Sequence, residues 1–195
     1  LSETNSFELH LVSRDDLAGL PDNLVETAAL EARQRKKEGW VFTLHFPSYV
    51  PFMQYSERRE LREKMLKAYS SRAFNNNESD NSKNVIRIAN LRWELAIILG
   101  FSSFAEMILL DRMADTPDKV ERFLNELYEA AKPAAIRDFN TVSKFAAGIG
   151  HKGAIQRWDW AFYSEKLKKK LFDIDDEILK PYFSLEKAEK AIFEL

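Results

Sequence analysis

The run Gln156-Arg157-Trp158-Asp159-Trp160-Ala161-Phe162-Tyr163-Ser164-Glu165-Lys166-Leu167 decides the fold class. Trp160, Tyr163 and Leu167 fall at i, i+3 and i+7, the spacing of one helical face, and Asp159 stands where an N-cap accepts free amides. The cations Lys166, Lys168, Lys169 and Lys170 close the run, where positive charge complements the negative end of a helix dipole. Such a cluster reads as a solvated helix face rather than a nucleic-acid site. Downstream, Asp175-Asp176-Glu177-Ile178-Leu179-Lys180-Pro181-Tyr182-Phe183-Ser184-Leu185 leads into Leu185–Leu195, whose apolar residues keep helical spacing with no Gly or Asn stop. Asp173, Asp175, Asp176 and Glu177 lack the glycine and the late glutamate of a calcium loop, and they read as helix-start acids.

Composition supports a helical protein. With 45% hydrophobic and 12% aromatic residues, the 195-residue chain has enough apolar material for a core. Only six glycines and six prolines interrupt it, and the 31% charged residues alternate in sign, as long solvated helices do. A formal charge of −2 gives no global drive toward nucleic acid. No apolar run reaches the roughly 18 residues of a membrane span, and no signal-peptide pattern is read within these residues, although a fragment can have lost one. The absence of cysteine rules out disulfides, a thiol nucleophile and a thiolate zinc site, and it fits a reducing compartment.

The rest of the chain reads as short helices around one small β element. Alternating residues near 7–12 and 40–46 predict two pairing strands, with a helix from Asp22 to about Lys37 between them and Gly39 as its left-handed stop. Pro47-Ser48-Tyr49-Val50-Pro51-Phe52 reads as a rigid aromatic loop. Ser56 can cap a helix carrying Leu61, Met65, Ala68 and Tyr69. The polar tract Asn75–Ser82 reads as a solvated tip. Val85, Ile88, Leu91, Leu95 and Ile98 line one face of a helix ending at Gly100. Ser103 and Glu106 predict a capping box for a helix reaching Met113. Pro117 opens the longest helix, with a kink expected at Pro133. Gly148-Ile149-Gly150-His151-Lys152-Gly153 lacks the Lys-Ser/Thr of a phosphate loop and reads as a helix-to-helix connection.

Read in order, Gly19-Leu20-Pro21, Gly39-Trp40, Phe42-Thr43-Leu44, Pro47-Ser48-Tyr49, Pro51-Phe52, Arg59 with Leu61-Arg62, Leu91-Arg92-Trp93-Glu94-Leu95-Ala96, Leu99-Gly100-Phe101, Met113-Ala114, the Trp158-Asp159 run and Lys180-Pro181-Tyr182-Phe183 form an ordered series. On these fragments the sequence resembles the M3 family of zinc metallopeptidases, which includes peptidyl-dipeptidases, oligopeptidase A and thimet oligopeptidase. The run Trp158-Asp159-Trp160-Ala161-Phe162-Tyr163 is most similar to the peptidyl-dipeptidase branch, which releases C-terminal dipeptides. Ala191 departs from the family, standing where Gly is frequent.

The resemblance implies a largely helical, two-lobed shell around a narrow channel, one zinc held by a His-Glu-x-x-His helix and a downstream Glu, and oligopeptide substrates. That helix is missing here: none of the three histidines, His10, His45 and His151, has a second histidine four residues on. We therefore expect residues 1–195 to form one fragment upstream of the zinc-binding region, mainly α with a two-stranded β element. No catalytic, cofactor-binding or metal-ligating residue is assigned within it. Zinc belongs to the parent enzyme and none is expected on the fragment. Expected partners are oligopeptides and the remainder of the polypeptide, with no nucleic acid and no membrane, and the cut Leu185–Leu195 helix predicts self-association. The expected compartment is the cytoplasm, with the periplasm left open. The competing class is a non-catalytic helical interaction module that keeps the M3 outline.

Duller readings stand beside each functional one. Trp158, Trp160, Phe162 and Tyr163 either line a substrate channel or pack as core, the commoner fate of aromatics at helical spacing. Asp159 is an N-cap or orients a functional group, Tyr49 packs a rigid turn or reaches substrate, and Glu94 beside Arg92 is a surface pair of small energetic value.

Limited proteolysis with mass spectrometry should place the first cuts within Asn75–Ser82 and Gly148–Gly153, where composition offers little buried surface. First cuts inside Leu91–Leu99 would contradict the helix assigned there.

Overall fold

The computed structural model describes residues 2–174, 179, 182 and 184–193. In chain order its elements are α1 (Ser2–Ser6), β1 (Leu9–Leu11), a 3-10 turn (Arg14–Leu17), α2 (Asp22–Gln34), β2 (Trp40–Phe42), α3 (Phe46–Tyr55), α4 (Arg59–Ser70), α5 (Ser82–Ile98), α6 (Phe104–Leu109), α7 (Pro117–Gly148), α8 (Arg157–Phe172) and α9 (Leu185–Phe193). The protein is mainly α, as the sequence predicts. It divides into two compact units, Leu1–Ser70 with Val142–Leu195, and Ser71–Thr141.

The first unit is built on the predicted β pair. β1 and β2 run antiparallel in the register Leu9↔Phe42, His10↔Val41, Leu11↔Trp40. Leu9 and Leu11 face the core while His10, between them, is exposed, the alternation of a half-buried strand. β2 is different: Val41 and Phe42 are consecutive, point to opposite faces and are both fully buried, so this strand is covered on both sides. Leu24 and Ala28 of α2, Phe52 and Met53 of α3 and Leu61 and Met65 of α4 complete that core. Phe42 meets Phe52 edge to face at 4.8 Å between centroids.

Two expectations are corrected here. Pro47–Phe52 is not a loop but part of α3. Pro47 sits at the helix start, where its missing amide costs nothing, and Pro51 forfeits one intrahelical bond while Phe52 and Met53 are buried next to it. Burial of two large apolar side chains outweighs that loss. Nor is Gly39 the stop of α2. Lys36 takes the left-handed conformation there, with its N–H donating to Arg33 O and the N–H of Lys37 to Ala32 O, a Schellman closure. Gly39 serves a different need: at φ +84° it brings the chain against β1, and a Cβ would lie 2.3 Å from the Leu11 carbonyl oxygen. Outside the core, Glu8 receives Arg35 and Lys37, tying the C-terminal end of α2 to β1.

Local punctuation elsewhere follows the sequence only in part. α5 ends at Gly100, whose positive φ closes a second Schellman motif, the Phe101 N–H reaching Ala96 O. The Ser103 hydroxyl accepts from Glu106 N, but the Glu106 carboxylate reaches Ser102 rather than Ser103, and α6 stops at Leu109, short of Met113. α7 opens at Pro117 and runs without interruption through Pro133. Within the second unit the predicted apolar face of α5 is exposed, including Val85, Ile88, Leu91, Leu95 and Ile98, and only Ala96 of that helix is buried. Arg92 lies over the Phe104 ring at 5.2 Å instead of pairing with Glu94. No helix among the described residues is long and apolar enough to cross a membrane. Asp175, Asp176, Glu177, Lys180, Pro181 and Phe183 lie outside the described residues.

Gly39→Ala should destabilise the chain by about 1–3 kcal/mol, through strain at positive φ and collision with β1. Phe42→Ala, which empties the centre of the core, should cost about 3–5 kcal/mol. Urea unfolding followed by tryptophan fluorescence measures both.

Candidate functional site

α8 packs on α3 and α4, and its first turn carries a buried ionic node. Gln156 caps the helix, and Asp159 occupies the third helical position of a capping box, its carboxylate accepting from the Gln156 backbone N–H at 3.1 Å. Asp159 is therefore not the N-cap expected from the sequence. Its side chain is completely buried and takes two charged donors from α4: Arg59 through Nε at 2.9 Å and Nη2 at 2.8 Å, and Arg62 through Nη2 at 3.0 Å.

Arg62 is as deeply buried and is fully engaged. Its Nη1 donates to the Ser56 carbonyl at 2.6 Å and its Nε to the Trp158 carbonyl at 3.0 Å, while the guanidinium lies 4.1 Å from the Phe162 ring centroid. Ser56, also buried, is the C-cap of α3 rather than the cap of α4 expected from the sequence; its hydroxyl accepts the Arg58 N–H in the turn between the two helices, and α4 starts at Arg59. Burial pushes the Asp159 carboxyl toward protonation, but the hydrogen bonds from Arg59, the Gln156 amide and Arg62 outweigh it and hold the group below the usual aspartate range. The Arg59 guanidinium is correspondingly raised by its bond to Asp159. An acid held ionised between two arginines has no proton to give and little basicity, so the node holds α8 in place rather than performing acid–base chemistry.

Beside the node lies a cleft of about 450 Å³ in the first unit, formed where the start of α4, the end of α7 and the middle of α8 meet. α7 ends in a Schellman motif: Gly150 has φ +99°, its N–H meets Ala147 O, and the His151 N–H meets Ala146 O. This fixes His151 directly after the helix, with Nδ1 3.0 Å from the Tyr163 hydroxyl and the two rings edge to face at 5.1 Å. Its Nε2 is buried without a hydrogen-bond partner. Three further hollows among the described residues, along α5 and α7, are each lined by a single helix and are gaps between neighbouring side chains.

The aromatic run divides between the two readings offered by its sequence. Phe162 and Tyr163 are buried against Val142 and Ala146 of α7, Trp158 packs against the main core, and Trp160 is exposed. Phe162 and Tyr163 nevertheless present edges to the cleft. Tyr49 stacks on Tyr69 at 4.2 Å between centroids, as a packing residue. Sequence reading noted Arg59, Arg62 and Asp159 as separate fragments but did not pair them.

The zinc implied by the M3 resemblance does not fit the donors present. The His10 Nε2 is bonded to the Glu38 carbonyl and the His151 Nδ1 to Tyr163, and no group of three His, Asp or Glu side chains among the described residues could hold a metal ion. No step through a metal is derived from this chain.

The chain can be compared with known proteins. The family model for Peptidase family M3 matches residues 52–195. Oligopeptidase A of Haemophilus influenzae is 38% identical over 100% of this chain and 29% of its own length. Oligopeptidase A of Escherichia coli is 40% identical over 92% of the chain and 27% of its own length. The dipeptidyl carboxypeptidase of Escherichia coli is 31% identical over 87% of the chain and 25% of its own length. The chain thus spans less than a third of these curated relatives.

Asp159→Asn should cost about 3–5 kcal/mol at pH 7, because it leaves Arg62 buried without its counter-charge. The Asp159 carboxyl is depressed in the folded state, so its contribution is complete above about pH 4 and is lost as pH falls below that through the folded value. The gap between wild type and Asp159→Asn, measured by urea unfolding, should accordingly narrow from pH 7 to pH 3.

Proposed function

Because the chain belongs to peptidase family M3, we propose that it supplies a positioning segment of a zinc-dependent oligopeptidase. The observation that carries this reading is the 38% and 40% identity, over 100% and 92% of the chain, to proteins named oligopeptidase A. The hydrolysis itself, and the zinc that would activate water for it, belong to residues other than these 195, which hold no His-Glu-x-x-His. What this chain contributes is a fixed scaffold: the Asp159 node locks α8 on α4, and the cleft beside it stays open to solvent.

Dipeptide release is the narrower reading. The Trp158–Tyr163 run and 31% identity to dipeptidyl carboxypeptidase support it, and the higher identity to oligopeptidase A weighs toward cleavage within oligopeptides. The competing interaction-module reading requires no hydrolysis at all. A chain without cysteine fits a reducing compartment, which favours the cytoplasm; the oxidising periplasm is the alternative. Taken alone, the chain would self-associate through α9, where Leu185, Ile192 and Phe193 are exposed.

The gene product containing these residues should hydrolyse a quenched oligopeptide, lose that activity to a chelator and regain it with zinc, whereas the 195-residue chain alone should be inactive. Amidating the substrate C-terminus separates the two specificities: internal cleavage should persist, and dipeptide release, which must recognise the free C-terminal carboxylate, should fall at least about tenfold. Absence of chelator-sensitive turnover in the gene product would sink the peptidase reading in favour of the interaction module.

A further inference from the structure

The cleft beside the node is cationic in a chain whose formal charge is −2. Arg59, Lys152 and Lys166 line it against a single carboxylate, Glu57. Glu57 does not neutralise them: it approaches only Lys166, at 3.4 Å, long for a charge-assisted bond. Arg59 spends Nε and Nη2 on Asp159, leaving Nη1 without a partner among the described residues. Lys152 has no acidic partner among them either. Asp159, which engages Arg59, is buried behind it and balanced also by Arg62, and Glu63, whose charge also acts on Arg59, is paired with Lys67.

The remaining wall carries no carboxylate, lysine or arginine. Ile149 and the edge of Phe162, over whose ring the Lys166 ammonium lies at 4.7 Å, give it an apolar part, and the Tyr163–His151 pair supplies hydrogen-bonding edges. Convergent cations over a partly apolar wall, in a hollow of about 450 Å³, suit a small anion that carries an apolar group rather than a bare, strongly hydrated one. The Schellman turn at Gly150 fixes His151 and thereby delivers Lys152 to the rim, so the site is largely formed before any ligand arrives.

We infer that this cleft binds a carboxylate bearing an apolar substituent, with Arg59, Lys152 and Lys166 holding the carboxylate and Phe162 and Ile149 contacting the substituent. The choice of a peptide C-terminus as the bearer of that carboxylate rests on the oligopeptidase reading; the carboxylate chemistry itself rests on the lining residues. Because the site lies on this chain, binding can be measured on it directly, without turnover.

The test is calorimetric titration of the purified 195-residue chain with the free acid of alanyl-phenylalanine, with its C-terminal amide, with phenylpropionate and with inorganic phosphate, at low and moderate salt. The free acid should bind with a dissociation constant on the order of 1 mM or tighter, the amide at least about tenfold more weakly, and affinity should fall with added salt as for exposed charges. Lys152→Ala with Lys166→Ala, both on exposed stems and outside the buried node, should reduce binding at least about tenfold while leaving circular dichroism and urea stability unchanged. Phenylpropionate binding as tightly as the dipeptide would keep the carboxylate site and identify a free small acid rather than a peptide as its ligand. Equal binding of acid and amide, phosphate binding at least as tightly as the free acid, or no binding by a folded chain would each overturn the proposal. None of these results bears on chelator-sensitive turnover of the gene product, so failure here and failure of the peptidase reading are separable.

Discussion

The buried carboxylate of Asp159 is the constraint on which the rest of the first unit depends. An ionised group removed from water costs several kcal/mol, and that cost is offset only when charged donors meet it in good geometry. Here the donors are Arg59 and Arg62, one turn apart on α4, and the acceptor is in the first turn of α8. Neither helix can rotate or slide without stranding a charge. The node thus ties the first turn of α8 to α4 at a defined register.

The same arrangement sets the chemistry available nearby. Arg62 is consumed completely, by Asp159 and by two backbone carbonyls, and it lies flat against Phe162. Arg59 is consumed on one side only and remains accessible on the other, with its side chain 44% exposed. A structural ion pair therefore also delivers a cation to the cleft. The end of α7 contributes by a different route: a glycine at positive φ closes the helix and turns the chain so that His151 meets Tyr163.

The two units use their apolar residues differently. In the first, β2 is covered on both faces and Phe42, Phe52 and Met65 are fully buried. In the second, α5 carries apolar residues on more than one face, Ile86 and Trp93 as well as Val85 and Leu91, and nearly all are exposed. Helices apolar on several faces belong in an interior, which agrees with a chain that matches less than a third of the length of its oligopeptidase relatives.

What the sequence determined by itself was local or serial. Helix beginnings at Pro117 and Ser103 and the end at Gly100 are written in one or two residues, because caps and left-handed turns are satisfied within a few positions, whereas Gly148–Gly153 read only as a connection and Gly148 proved to belong to α7. The alternation of Leu9 and Leu11 showed the β pair, and the ordered fragments showed the family. What only the tertiary structure decided depended on residues far apart in the chain. Pro47–Phe52 became a helix because burial of Phe52 and Met53 outweighed the propensity of two prolines. Asp159 looked like an ordinary cap, since an N-cap and a third-position acid both accept local amides. Its partners Arg59 and Arg62 stand 100 and 97 residues away, and no periodicity encodes a contact across that separation. The cleft was illegible for the same reason: it exists only where three helices, each readable alone, meet, α8 on α4 through that buried charge and α8 on α7 through Phe162 and Tyr163 against Val142 and Ala146.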